Sequence, residues 1–119
     1  MDDLLKLKKH LLVFFKDDYT GLFHVSSIAE RYFKLESNEE RKKFVLDYIL
    51  KLLEEKLIRV GCLLYDGKLD EWKQSPQEII ARINQEWDGS RYESDGLYGT
   101  WFGITEQGEE ELKRLKAME

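Results

Sequence analysis

The stretch "YGTWFGITEQGEEELKRL", residues 98–115, decides how the chain is read. Trp101 and Phe102 lie in a run of strand formers, Thr105 stands where a helix cap belongs, and a charged segment with Leu112 and Leu115 follows. The spacing predicts a strand over 97–104, capped directly into a closing helix. A strand needs a partner for its backbone groups. Working backwards, the first run of matching length is "LIRVGCLLY", which starts at Leu57 and stops at Asp66-Gly67, a pair suited to a hairpin tip. These two runs are expected to pair antiparallel.

About thirty residues separate them, too many for structureless chain inside one compact domain. Within that insertion Ser75, Pro76 and Glu78 supply a cap, a first-turn proline and a capping-box partner, and Ile79, Ile80, Ile83 and Trp87 follow on one face. The insertion, about 66–96, therefore carries its own helix. Trp87, Trp101 and Trp72 are expected to pack that helix onto the sheet. Alternation along the closing strand puts Leu97, Gly99, Trp101 and Gly103 on one face and Tyr98, Thr100, Phe102 and Ile104 on the other. One face must meet the core, which leaves the other for further use.

The N-terminal half reads as helices. Asp2 or Asp3 caps a first helix with Leu4, Leu7, Leu11, Leu12 and Phe15 at helical spacing, and "KDDYTG" ends it. "LFHV", Leu22 to Val25, reads as a short extended stretch. Ser27 and Glu30 have capping-box spacing and predict a short helix over "SIAERYF"; Ser37 and Glu40 repeat the device. The latter pair opens a longer helix striped by Phe44, Val45, Tyr48, Ile49, Leu52 and Leu53.

Composition bounds the function. The 119 residues, 42% hydrophobic and 13% aromatic, suit a single domain with one core, spanning 1–119. The N-terminal "MDDLLKLKKHLL" is broken by lysines, so neither a secretion signal nor a membrane span is expected, and the expected location is cytoplasmic. The single Cys62, in an apolar run, is read as a buried, inert thiol. Catalysis is not indicated: His10 and His24 have no zinc-ligand spacing around them, and no nucleophile elbow, P-loop or dinucleotide turn occurs. Adjacent carboxylates such as Asp70-Glu71 and Glu109-Glu110-Glu111 read as solvated surface. No enzyme activity, cofactor or metal is expected.

The order of elements, with the ending "WFGITEQGEEEL", resembles the winged-helix superfamily over roughly 1–65 and 97–116. The track "EIIARINQEWDGSRYESDGLYGTWFGITEQGEEEL" is similar to small bacterial proteins of poorly defined function, and the size and acidity resemble bacterial immunity proteins that neutralise toxins. The implied fold is α+β: three N-terminal helices, a small antiparallel sheet, a wing enlarged by a helix-containing insertion, and a C-terminal helix. In that superfamily the third helix enters the major groove. Here it offers Arg41, Lys42 and Lys43 for phosphates, with Glu36, Glu39 and Glu40 beside them.

The charge distribution weighs against DNA. Through Tyr65 there are 12 Lys/Arg and 11 Asp/Glu; from Asp66 onward there are 7 and 13, so the second part carries all of the negative excess behind the net −5. Non-specific affinity for DNA depends on cations that displace counterions, so an acidic wing repels the backbone. Aromatic residues beside acids instead suit a basic protein surface. The sequence therefore points to a protein-binding module, of the kind an immunity protein is, in which Asp66, Asp70, Glu71, Asp88, Glu93 and Asp95 meet a cationic partner while Trp72 and Tyr92 anchor it. The alternative is a DNA-binding regulator using Arg41, Lys42 and Lys43.

Overall fold

The computed structural model describes residues 2–89 and 99–118. Five helices and a four-stranded antiparallel sheet, in the order β1-β4-β2-β3, make up the described residues. Helix α1 spans Asp3–Asp17, with the Asp2 carboxylate accepting from the Leu5 backbone N–H at 2.9 Å. Leu7, Leu11, Leu12 and Phe15 are buried at the expected spacing, whereas Leu4 is 45% exposed. Its carbonyl accepts from the Tyr48 hydroxyl at 2.7 Å, so the first turn is held by a polar contact and not by burial of Leu4.

The segment after α1 departs from expectation. The extended residues are Thr20–Gly21 (β1), and Leu22 to Val25 already belong to helix α2, Leu22–Ala29. Gly21, not Ser27, is the N-cap, and Glu30 is the C-cap. The physical reason is that β1 is pinned to the closing strand β4, Trp101–Ile104, through Thr20↔Phe102 and Gly21↔Trp101, and the Leu22 N–H donates to the Thr100 carbonyl. With the chain anchored there, Leu22, Val25, Ile28 and Ala29 bury one helical face at once. Three-residue Ser/Glu spacing fits a helix interior as well as a helix start.

Helix α3, Asn38–Glu54, begins as expected: the Glu40 N–H donates to the Ser37 hydroxyl at 3.1 Å. Val45, Ile49 and Leu52 of the stripe are buried, together with Leu46; Phe44, Tyr48 and Leu53 pack at its edge. The helix stops with Lys56 in the left-handed region (φ 60°), Leu57 N–H bonding to the Leu52 carbonyl and Lys56 N–H to that of Leu53. That is a Schellman stop, with Leu52 and Leu57 both buried across it.

Strand β2, Ile58–Leu63, pairs antiparallel with β4 in the register Ile58↔Ile104, Val60↔Phe102, Gly61↔Trp101. The two distant runs thus pair as the sequence predicts, although Gly99 and Thr100 lie outside the ladder. Ile58, Val60 and Phe102 face the helices, and the fully buried Phe102 ring stacks on Phe15 at 5.7 Å. Helix α5, Glu106–Ala117, is capped by Thr105, whose hydroxyl accepts from the Gly108 N–H, and it packs on α1 through Leu112 and Leu115. Between them lies the buried Lys8, its ammonium 3.2 Å from Glu55 and 2.7 Å from Glu111, whose carboxylate also takes two bonds from Arg114. Among the described residues no helix is long and apolar enough to cross a membrane.

Candidate protein-binding surface

The insertion contributes a strand the sequence reading missed. Residues Leu69–Glu71 form β3, which pairs with β2 through Leu63↔Leu69, Cys62↔Asp70 and Gly61↔Glu71. The Asp66-Gly67 pair therefore turns β2 into β3, and β4 approaches β2 from the other side. At Gly61 the β3 backbone comes so close that a Cβ would stand 2.2 Å from the Asp70 carbonyl oxygen, so a side chain there would force the hairpin apart.

Helix α4, Pro76–Gly89, starts with a reciprocal capping box: Ser75 N–H donates to the Glu78 carboxylate and Glu78 N–H to the Ser75 hydroxyl. Hydrogen bonding to the carboxylate, from the Ser75 backbone N–H first and the Ser75 side chain second, holds the Glu78 carboxyl below its ordinary pKa. Ile79, Ile83 and Trp87 are buried, as their spacing predicts, and the main packing partner of α4 is α3. The Trp87 indole N–H donates to the Asn38 side-chain oxygen at 3.3 Å, which ties the end of α4 to the first residue of α3. Trp101 has a different neighbour: its ring covers Gly21, where a Cβ would be 3.6 Å from it.

The outward strip of α3 exposes Glu39, Glu40, Asp47 and Glu54 against Lys43 and Lys51. Of the three cations offered for phosphates, Arg41 is ion-paired to Glu30, Lys43 is 3.5 Å from Asp47, and Lys42 is half-buried.

The residues expected to meet a protein partner are placed unevenly. Trp72 is 8% exposed, its indole N–H donates to the Cys62 sulfur at 3.4 Å, and the Arg82 guanidinium covers its ring at 3.8 Å. Such a ring, capped on one side by a cation and buried on the rest, holds α4 to the hairpin and is not an accessible anchor. Cys62, expected to be buried, is only half-buried. Glu71 is 2.8 Å from Arg59. Asp66 and Asp70 are exposed, Asp66 accepting from the Lys68 N–H at 3.0 Å across the turn. Asp88 belongs to the last turn of α4, and Tyr92, Glu93 and Asp95 lie outside the described residues.

Two tip residues went unnoticed in the sequence. Tyr65 is 81% exposed and Leu64 is 44% exposed. The Gly67 N–H bonds to the Leu64 carbonyl and Gly67 takes a φ of 85°, which makes Tyr65-Asp66-Gly67 a three-residue loop built on a type I turn with a left-handed glycine. The signal was present: counting back from Asp-Gly in that turn puts Tyr65 in the loop and not at the end of the strand.

The histidines are apart. His10 Nδ1 and the Tyr32 hydroxyl are 2.7 Å from each other, and burial, aided by Arg31, lowers its pKa; His24 is exposed. Among the described residues no group of three or more His, Cys, Asp or Glu side chains is arranged to hold a metal ion. Comparison with known proteins finds no matching family model, no matching curated protein and no matching solved structure.

Proposed function

We propose that this chain is a non-enzymatic protein-binding module built on a winged-helix-like domain, of the immunity type that neutralises a basic partner such as a toxin. The order of α1, β1, α2, α3, β2 and β4, with β1 beside β4 and β4 beside β2, supports the winged-helix reading. The observation that carries the function is the roofing of α3 by α4. In a DNA reader the third helix lies open to the major groove. Here Trp87 is bonded to the start of that helix, and the strip left open carries twice as many carboxylates as cations. Such a strip opposes phosphate and favours approach by a cationic protein surface.

Titration with duplex DNA at several salt concentrations tests this. Only weak, salt-sensitive association without sequence preference is expected. Sequence-selective nanomolar binding, abolished by replacing Arg41, Lys42 and Lys43 together, would restore the DNA-binding regulator. On the positive side, a partner recovered from the source cell is expected to be basic, and its association rate should fall as ionic strength rises.

A further inference from the structure

We propose that the tip of the β2–β3 hairpin is the anchor of that interaction, with Tyr65 and Leu64 inserting into an apolar-floored cleft on a basic protein and Asp66 and Asp70 meeting cations on its rim. This deepens the protein-binding reading and rests on it.

Three observations point to the tip. The first is exposure. Tyr65, at 81%, is the most exposed large hydrophobic side chain among the described residues, and Leu64 beside it is 44% exposed. The two stand together at the tip, whereas Leu69, Trp72, Ile79, Ile83 and Trp87 farther along the chain are all buried. Exposed tyrosine carries both apolar area and a hydroxyl on only two side-chain torsions, which suits it to anchor a contact.

The second is rigidity. Leu64 N–H bonds to the Lys68 carbonyl at 2.8 Å, Gly67 N–H to the Leu64 carbonyl at 2.9 Å, and Lys68 N–H to the Asp66 carboxylate at 3.0 Å. Below the turn, Trp72 N–H bonds to the Val60 carbonyl, and the Trp72 ring is clamped by Arg82 of α4. The hairpin is thus braced from its tip to the inserted helix, so little ordering is left to occur on binding.

The third is charge. Glu71 is matched by Arg59, which leaves two exposed carboxylates, Asp66 and Asp70, against Lys68 at the tip of a chain with a net charge of −5. A cationic rim complements that arrangement. A nucleic-acid backbone would be repelled by it, and so would a second copy of this acidic chain.

The test places a photo-crosslinking p-benzoylphenylalanine at Tyr65 and, separately, at the exposed Phe23 in the full chain, and irradiates it in the source cell. Any crosslinked protein is identified by mass spectrometry, purified, and titrated against the unmodified chain, Tyr65→Ala and Asp70→Lys. The expected result is a crosslink from position 65 and none from 23, to a protein of net positive charge. Tyr65→Ala is then expected to weaken binding about 30-fold, as a central anchor does, with unchanged melting temperature. Asp70→Lys should chiefly slow association. A crosslink to a second copy of this chain, to an acidic protein, equally from both positions, or from neither position overturns the tip assignment, as does full affinity in Tyr65→Ala. If full affinity for a basic partner persists in Tyr65→Ala, only the tip assignment fails. Duplex binding that depends on Arg41 to Lys43 defeats the protein-binding reading itself.

Discussion

Two regions of this molecule handle charge in opposite ways. Where α1 meets α5, the charges answer one another: Lys8 lies between Glu55 and Glu111, and Glu111 is held again by Arg114. At the β2–β3 hairpin, Asp66 and Asp70 face solvent with the aromatic ring of Tyr65 beside them. Both regions are rich in acidic residues, so the count of carboxylates does not distinguish scaffold from surface. What distinguishes them is whether another element is packed near enough to supply the cation.

The contrast fails if the inserted helix is not scaffold, and that is where the largest effect is expected. Ile83 is fully buried between α4 and α3, so Ile83→Ala should cost about 2–5 kcal/mol in chemical denaturation. A loss within error would mean that α4 is loosely held and that its apolar face is itself available.

Lys8→Met sharpens the other side. It keeps the aliphatic stem but leaves the Glu55 and Glu111 carboxylates without their shared cation, for an expected loss of about 1–3 kcal/mol, moderated because Arg114 still serves Glu111. The same network predicts an acid limb. The Arg114 guanidinium, with Lys8 beyond it, outweighs burial and holds the Glu111 carboxyl at about 2 against an ordinary 4.5. A carboxyl whose pKa is lowered by folding contributes stability that is present above the unfolded value and is lost as pH falls towards the folded one. Melting temperature should therefore drop between about pH 4.5 and 2, and Glu111→Gln should flatten that part of the profile.

Smaller effects are expected at two exposed positions. Lys56 occupies a left-handed conformation that glycine adopts without a Cβ penalty, so Lys56→Gly should stabilise the fold by about 0.5–1 kcal/mol. Tyr65→Ala should change stability by no more than about 0.5 kcal/mol, because the ring is mostly in solvent. Substantial unfolding by this last change would make the tip part of the scaffold and remove the contrast.

Signals confined to one turn of chain were legible in the sequence. Asp2, Ser37, Ser75 and Thr105 cap the helices they were expected to cap, and Asp66-Gly67 makes a turn. Each acts on a backbone group two or three residues away, so its partner is fixed by the chain itself. Ser27 and Glu30 mark the limit of such reasoning. Their spacing is that of a cap, but a helix anchored upstream by β1 runs through Ser27. The pairing of β2 with β4 was also legible, since two strand-like runs of similar length had each other as partners across the insertion.

The candidate surface was less legible, because exposure depends on which element comes to lie over a residue. Sequence determined that Ile79, Ile83 and Trp87 share a face of a capped helix; only the tertiary structure decided that this face would meet α3 and bond Asn38. Sequence patterning likewise offered Trp72 as an anchor and passed over Tyr65 on the other side of the acidic turn. The tertiary structure separated them, burying Trp72 beneath Arg82 and leaving Tyr65 at the hairpin tip. Periodicity and capping are properties of neighbouring residues, whereas burial and charge pairing arise between segments distant in the chain, and their outcome is set when those segments pack.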